Sequence, residues 1–172
     1  MALTVRPFRT DEAAALTAIR HEALADLPMA FAEHLDAARA KGGEDFTDAL
    51  SEQAIWGAFD DDRPLAMAGL RRGVGGNVQH RAMIVGVYVS PAARGTGVSR
   101  AMLQALIDYG IVRGVEIFEL AVGDFNVPAR KLYAGLGFVE VGLLRNAVKI
   151  GADYTHEINM ALHVEGVGAG KI

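Results

Sequence analysis

Met83-Ile84-Val85-Gly86-Val87-Tyr88-Val89-Ser90-Pro91-Ala92-Ala93-Arg94-Gly95-Thr96-Gly97-Val98-Ser99-Arg100-Ala101-Met102-Leu103 changes its apolar period across a single turn. The residues from Met83 to Val89 are apolar and rich in β-branched side chains, which reads as a central strand covered on both faces. Gly86 in its middle points to a bulge or to close approach of another backbone. Ser90-Pro91 stops the strand. From Val98 onward Met102, Leu103, Leu106 and Ile107 recur at helical spacing and give a helix with one buried stripe.

The turn between strand and helix carries chemistry. A helix leaves its first amides without internal acceptors, and its dipole adds positive potential at the same end. A glycine-rich turn feeding that end makes an anion site. Arg94 adds a cation, and Gly95 and Gly97 permit dihedrals closed to other residues. A pyrophosphate is the natural guest. The run is not a P-loop, since no Gly-Lys-Ser/Thr follows, and Arg100 excludes the dinucleotide fingerprint.

Upstream, Thr10-Asp11-Glu12 supplies the acidic residues that favour a first helical turn. Ala15, Leu16, Ile19, Ala23 and Leu24 continue with helical spacing until Pro28. A second helix is expected over Ala30 to Ala40, ended by Gly42-Gly43, and a third from about Asp45 to Ser51. The corner at Leu27-Pro28 faces a substrate or simply packs. Ile55 to Phe59, the turn Asp60-Asp61-Asp62 and Leu65 to Leu70 read as a β-hairpin. Downstream, Ile117 to Val122 reads as a strand, Asn126 to Leu136 as a helix, and Phe138 to Val141 as a strand. Arg145 to Asp153 reads as a connection and Ile158 to Leu162 as the last strand. The order fits one mixed, mostly antiparallel sheet flanked by helices, an α/β domain over 1–163 with a flexible tail over 164–172.

Composition narrows the function. The 172 residues are 51% hydrophobic with a formal net charge of −4, enough for a core and without the basic field that nucleic acid or anionic membrane calls for. No apolar run reaches transmembrane length, and no apolar segment follows Arg6 and Arg9, so neither a membrane span nor a signal peptide is expected and the location is expected to be cytoplasmic. Cysteine is absent, which removes disulfides, thiolate metal sites and a cysteine nucleophile together. The histidines show no ligand spacing, so no metal is expected.

A second segment joins the first: Leu120-Ala121-Val122-Gly123-Asp124-Phe125-Asn126-Val127-Pro128-Ala129-Arg130-Lys131-Leu132-Tyr133-Ala134-Gly135-Leu136-Gly137-Phe138. Together the two resemble the acyl-CoA binding core of the GCN5-related N-acetyltransferase (GNAT) superfamily. Arg94 and Gly97 match the family's Arg/Gln, two residues, Gly pattern, and Ser99 stands where the family prefers glycine or alanine. Asn126, Ala129, Tyr133 and Leu136-Gly137-Phe138 fall where the family places them. The resemblance is strongest over 83–163 and looser before it.

That resemblance implies the GNAT fold and direct transfer of an acetyl group from acetyl-CoA to a primary amine. It implies phosphates on the backbone of Arg94, Gly95, Thr96, Gly97, Val98 and Ser99, and the pantetheine arm or thioester carbonyl on amides of Val87, Tyr88 and Val89. Asn126 and Ala129 would join the cofactor contacts. Tyr133 would be general acid to the departing thiolate, a role suited to a phenol. Glu119 is the first candidate for general base, with His80, Glu22, Glu33, Asp124 and a water chain as alternatives. The acceptor groove is expected between the early helices and residues 143–153, and the modest charge favours a small-molecule amine. A polypeptide amine, or an acyl-CoA binding module without turnover, are the other readings, and a homodimer is compatible with the family.

Overall fold

The computed structural model describes residues 3–41 and 46–165. The expected Gly42-Gly43 stop, the start of the third helix at Asp45 and the tail beyond Glu165 lie outside the described residues. The elements are β1 (Leu3–Pro7), α1 (Ala13–Asp26), α2 (Leu35–Lys41), α3 (Thr47–Ser51), β2 (Ile55–Asp60) and β3 (Arg63–Arg72). They continue with β4 (Arg81–Val89), α4 (Val98–Val112), β5 (Ile117–Gly123), α5 (Val127–Gly135), β6 (Val139–Ile150) and β7 (Asp153–His163). The strands form one seven-stranded sheet in the order β1-β2-β3-β4-β5-β7-β6. The β1–β2, β2–β3, β5–β7 and β6–β7 pairs are antiparallel, whereas β4 and β5 run parallel. A parallel pair needs a long crossover, and the stretch holding α4 supplies it. This is the mostly antiparallel α/β architecture that the sequence led us to expect.

Two compact units are present, one from Met1–Gly69 with Gly86–Leu106, the other from Leu70–Val85 with Ile107–Ile172. In the first, Phe8, Leu16, Ile19, Ala23, Leu50, Phe59, Met67 and Tyr88 form the core. Phe8 and Phe59 meet edge to face at 4.9 Å. The Arg6 guanidinium lies 3.8 Å from the Phe59 ring centre and makes a two-point bond to Glu12, at 2.8 Å to each oxygen. In the second, the alternating residues Phe118, Leu120 and Val122 of β5 are buried, and the Tyr133 ring meets Phe138 at 6.0 Å.

Several expectations need correction. Leu3 to Pro7 is a strand, announced by the alternation Leu3-Thr4-Val5-Arg6 but not expected as one. The second helix is shorter than expected, because a 3-10 turn at Pro28–Ala30 and extended backbone at Phe31 delay it to Leu35. On β4 one face is buried at Ala82, Ile84 and Tyr88, whereas the other is only partly covered, with Val85, Val87 and Val89 half-buried and Met83 44% exposed. The largest correction concerns residues 145–153. They are not a long connection but the end of β6 and the start of β7, which form a hairpin closed by pairing of Ile150 with Asp153. Bulges at Glu140–Gly142 and Leu144–Val148 disguise the alternation there, and the positive φ of Asn146 suggests a turn although the strand continues.

Candidate active site

At β4 the local chain does what its glycines require. Gly86 has φ +62, a conformation that interrupts strand geometry, and registered pairing with β5 covers only Arg81 to Met83 against Ile117 to Glu119. Val87, Tyr88 and Val89 therefore continue β4 beyond that parallel register. A short 3-10 turn, Pro91–Ala93, follows Ser90, whose amide is tied to the Leu65 carbonyl at 2.8 Å.

The loop then opens onto α4. Gly95 and Gly97 have φ +77 and +85, and a Cβ built on either meets nothing within 4 Å. Thr96 turns its hydroxyl back to the Ala93 carbonyl at 2.7 Å, fixing the loop from within. The Ala101 amide reaches the Gly97 carbonyl at 3.1 Å and starts the helical ladder. The first amides of a helix have no acceptor one turn back within the helix. Val98 is buried and anchors the helix, while Gly95, Thr96 and Gly97 are exposed. An open, exposed glycine loop at a helix start fits the pyrophosphate of a coenzyme A thioester.

Arg94 behaves differently from the expectation of a free cation for that anion. Its Nη2 donates to Asp26 Oδ2, and its Nε donates to the Val89 carbonyl at 3.1 Å. Asp26 also accepts from the Tyr88 hydroxyl at 3.1 Å, and Glu22 Oε1 lies 3.2 Å from the same hydroxyl. Burial, then the two carboxylates, push the Tyr88 phenol well above its ordinary range, so it stays protonated. Sequence reading missed Asp26. The only signal was the spacing of Glu22 and Asp26, one turn apart on one helix face.

The remaining residues gather on β5 and α5. Asn126 is the N-cap of α5, its side-chain oxygen accepting from the Ala129 amide at 3.3 Å, and Pro128 suits the helix start. Tyr133 lies about two turns further on. It is 5% exposed, and burial raises its pKa, which preserves a protonated phenol at neutral pH. Glu119 is not a free carboxylate: Arg81 binds both of its oxygens, at 3.0 and 2.6 Å. Glu33 is likewise engaged by Arg20 at 3.0 Å and Lys41 at 2.9 Å, which holds its pKa low. Asp124 accepts the His156 amide at 3.3 Å. Thus Val87 to Ser99 come together at the end of β4 and the start of α4, while Glu119, Asn126, Ala129 and Tyr133 belong to β5 and α5.

An exposed glycine loop between β4 and the start of α4 is a site of the kind that binds a phosphorylated coenzyme. Residues 16–138 match the acetyltransferase (GNAT) family, and the chain belongs to it. Acetyl-CoA is the co-substrate of that family. The mycothiol acetyltransferase of Beutenbergia cavernae is 30% identical over 126 residues, covering 73% of this chain and 41% of the relative. The chain thus spans well under half the length of the curated relatives it matches. Among solved structures, yncA of Salmonella typhimurium, determined with its cofactor acetyl-CoA, superposes with TM-score 0.84 at 18% identity over 99% of both chains. The ribosomal-protein-alanine N-acetyltransferase of Brucella melitensis gives 0.80 at 20% identity, over 94% of this chain and 99% of that one.

Proposed function

We propose that this chain is an N-acetyltransferase that moves the acetyl group of acetyl-CoA directly to a primary amine of a small molecule. The open, positive-φ glycine loop running into α4 carries this reading. In it, the backbone from Gly95 to Ser99, set in place by Arg94, holds the pyrophosphate, and the amides of Val87, Tyr88 and Val89 hold the pantetheine arm. When bound, acetyl-CoA supplies an activated acyl group and a thiolate leaving group.

The chain's own residues supply position and a proton. Asn126 fixes the start of α5 through Ala129 and thereby the place of Tyr133 on the same helix. Tyr133 keeps its proton because burial disfavours the phenolate, which suits a donor to a developing thiolate. Arg81 occupies both oxygens of Glu119, so we assign that residue to joining β4 and β5 and not to proton removal. Removal of the ammonium proton then falls to water. The acceptor class is favoured by the mycothiol acetyltransferase relative, whose name specifies a small-molecule product.

The proposal includes a cytoplasmic location, tested by fractionation, and a homodimer. For the latter, the edge strand β6 exposes Val139, Val141, Leu143 and Leu144 by 54–61%. Sedimentation of the wild type and Leu143→Lys checks the dimer, which the charge should dissociate.

The test of activity is free-thiol release from acetyl-CoA against amines, amino acids, aminoglycosides and short peptides, with Tyr133→Phe alongside. Release that depends on a small amine and collapses in the variant supports the reading. Release with peptides alone moves the acceptor to a polypeptide, and coenzyme binding without release for any amine overturns turnover in favour of a binding module.

A further inference from the structure

Asp26 ends α1, and its carboxylate receives two groups from a segment more than sixty residues away in sequence: the Tyr88 hydroxyl and the Arg94 guanidinium. Arg94 in turn closes on the Val89 carbonyl, and its guanidinium lies 5.8 Å from the Tyr88 ring centre. Tyr88 is 2% exposed and belongs to the core packed around α1. The last residues of β4 and the first turn of the anion loop are therefore clamped to α1 at one carboxylate. Arg94 spends its charge on this clamp, and its side chain turns back to α1 and to the strand end.

From this we infer that Asp26 is a positioning residue for the coenzyme loop, and that Arg94 serves as its tether to α1 and not as a phosphate ligand. The inference rests on the coenzyme reading of the loop, but the two make separable claims. Anion recognition is left to the backbone amides at Gly95 to Ser99, which need no side-chain charge but do need a fixed loop. A guanidinium carries five donors in a planar fork, so Arg94 can hold the carboxylate and the carbonyl together. A lysine offers one point charge and preserves only part of the clamp. The hydroxyl of Tyr88 has a single proton for the oxygens of Asp26 and Glu22, so the Arg94 charge also offsets the second carboxylate.

The two possible roles of Arg94 predict opposite signs. If it is a tether, Asp26→Asn loosens the loop and weakens coenzyme A binding by roughly tenfold, about the value of one charge-assisted hydrogen bond. If it is a phosphate ligand, the same substitution frees the guanidinium and tightens binding. Calorimetric titration of coenzyme A into the wild type, Asp26→Asn, Arg94→Gln, Arg94→Lys and the Asp26→Asn/Arg94→Gln double variant reads this directly. The expected pattern is weaker binding in both single variants, partial rescue by lysine, and a double variant no worse than either single one. In turnover, KM for acetyl-CoA rises while kcat holds. Hydrogen exchange of the ligand-free proteins at Arg94 to Ser99 tests the clamp without any coenzyme: faster exchange in both single variants is expected. Tighter binding by Asp26→Asn, or unchanged exchange in that loop, overturns the inference. A wild type that binds no coenzyme A removes the functional reading instead, and the exchange experiment still decides the clamp.

Discussion

Two buried tyrosines sit in surroundings that differ in one respect. Around Tyr88, Glu22 and Asp26 take up the hydroxyl and Arg94 balances their charge. Around Tyr133 the ring packs on Phe138, and its hydroxyl meets no carboxylate among the described residues. Burial is the leading cause that raises both phenols. The difference lies in what holds the proton. At Tyr88 it is committed to carboxylates, and losing it would gather three anions about one guanidinium. At Tyr133 it is held by desolvation alone and stays available to a base that comes close. A satisfied phenol builds structure, and an uncommitted one suits chemistry.

The sharpest way to break this contrast is to remove each hydroxyl. Tyr133→Phe should lower kcat by about 100-fold or more, in the range of a lost general acid, with KM for acetyl-CoA little changed. Tyr88→Phe should leave kcat within a few-fold. An equal loss of kcat in the two variants would erase the distinction.

Next in size is the loop that the Tyr88 region supports. Gly97→Val forces a β-branched residue to φ +85, where the strain is of order 1–3 kcal/mol, although the Cβ meets open space. KM for acetyl-CoA should therefore rise about tenfold or more by loop distortion while the fold survives, as read by initial rates and circular dichroism. Retained affinity would show that the loop conformation is not what binds.

Stability should reverse the order of the hydroxyl variants. Tyr88→Phe strips a donor from two carboxylates and should cost about 1–3 kcal/mol in denaturant unfolding, whereas Tyr133→Phe should cost less than about 1 kcal/mol. A larger loss at Tyr133 would reveal a committed hydrogen bond there.

The smallest effects are those of pH. Both phenols have folded-state values above the ordinary tyrosine value of roughly 10, so the native state binds more protons than the unfolded one in alkali. Their contribution is complete below that value and is lost as pH rises from it toward the folded values. Phenolate absorbance of these two residues should appear only with unfolding. Glu12 works in the opposite sense, its pKa lowered chiefly by the hydrogen bond from Arg6. Its contribution is present above the ordinary glutamate range and is lost as pH falls through the folded value. In Arg6→Gln the acid limb of the stability profile should flatten slightly.

The parts of the site that were legible beforehand are local. Gly95 and Gly97 in a turn before an apolar helical stripe, and the short helix from Asn126 to Leu136, state their geometry over a few residues. The structure gives those glycines positive φ and caps α5 with that asparagine. The β6–β7 hairpin was not legible, because two bulges and the turn-like Asn146 hide a strand period. Nor was the state of Glu119: a glutamate among apolar neighbours reads the same whether it faces solvent or a guanidinium.

By itself, then, the sequence determined the elements that steric freedom and periodicity dictate: the β4 strand, its glycine turn, the α4 stripe and the helix that begins at Asn126. Only the tertiary structure decided which charges meet. Arg94 finds Asp26 across 68 positions, and Arg81 finds Glu119 across 38. Ion pairs of that span carry no local signature, because their partners are chosen by how strands and helices pack rather than by spacing along the chain. That choice sets which carboxylate holds Arg94, which guanidinium holds Glu119, and which of two buried tyrosine hydroxyls meets carboxylates.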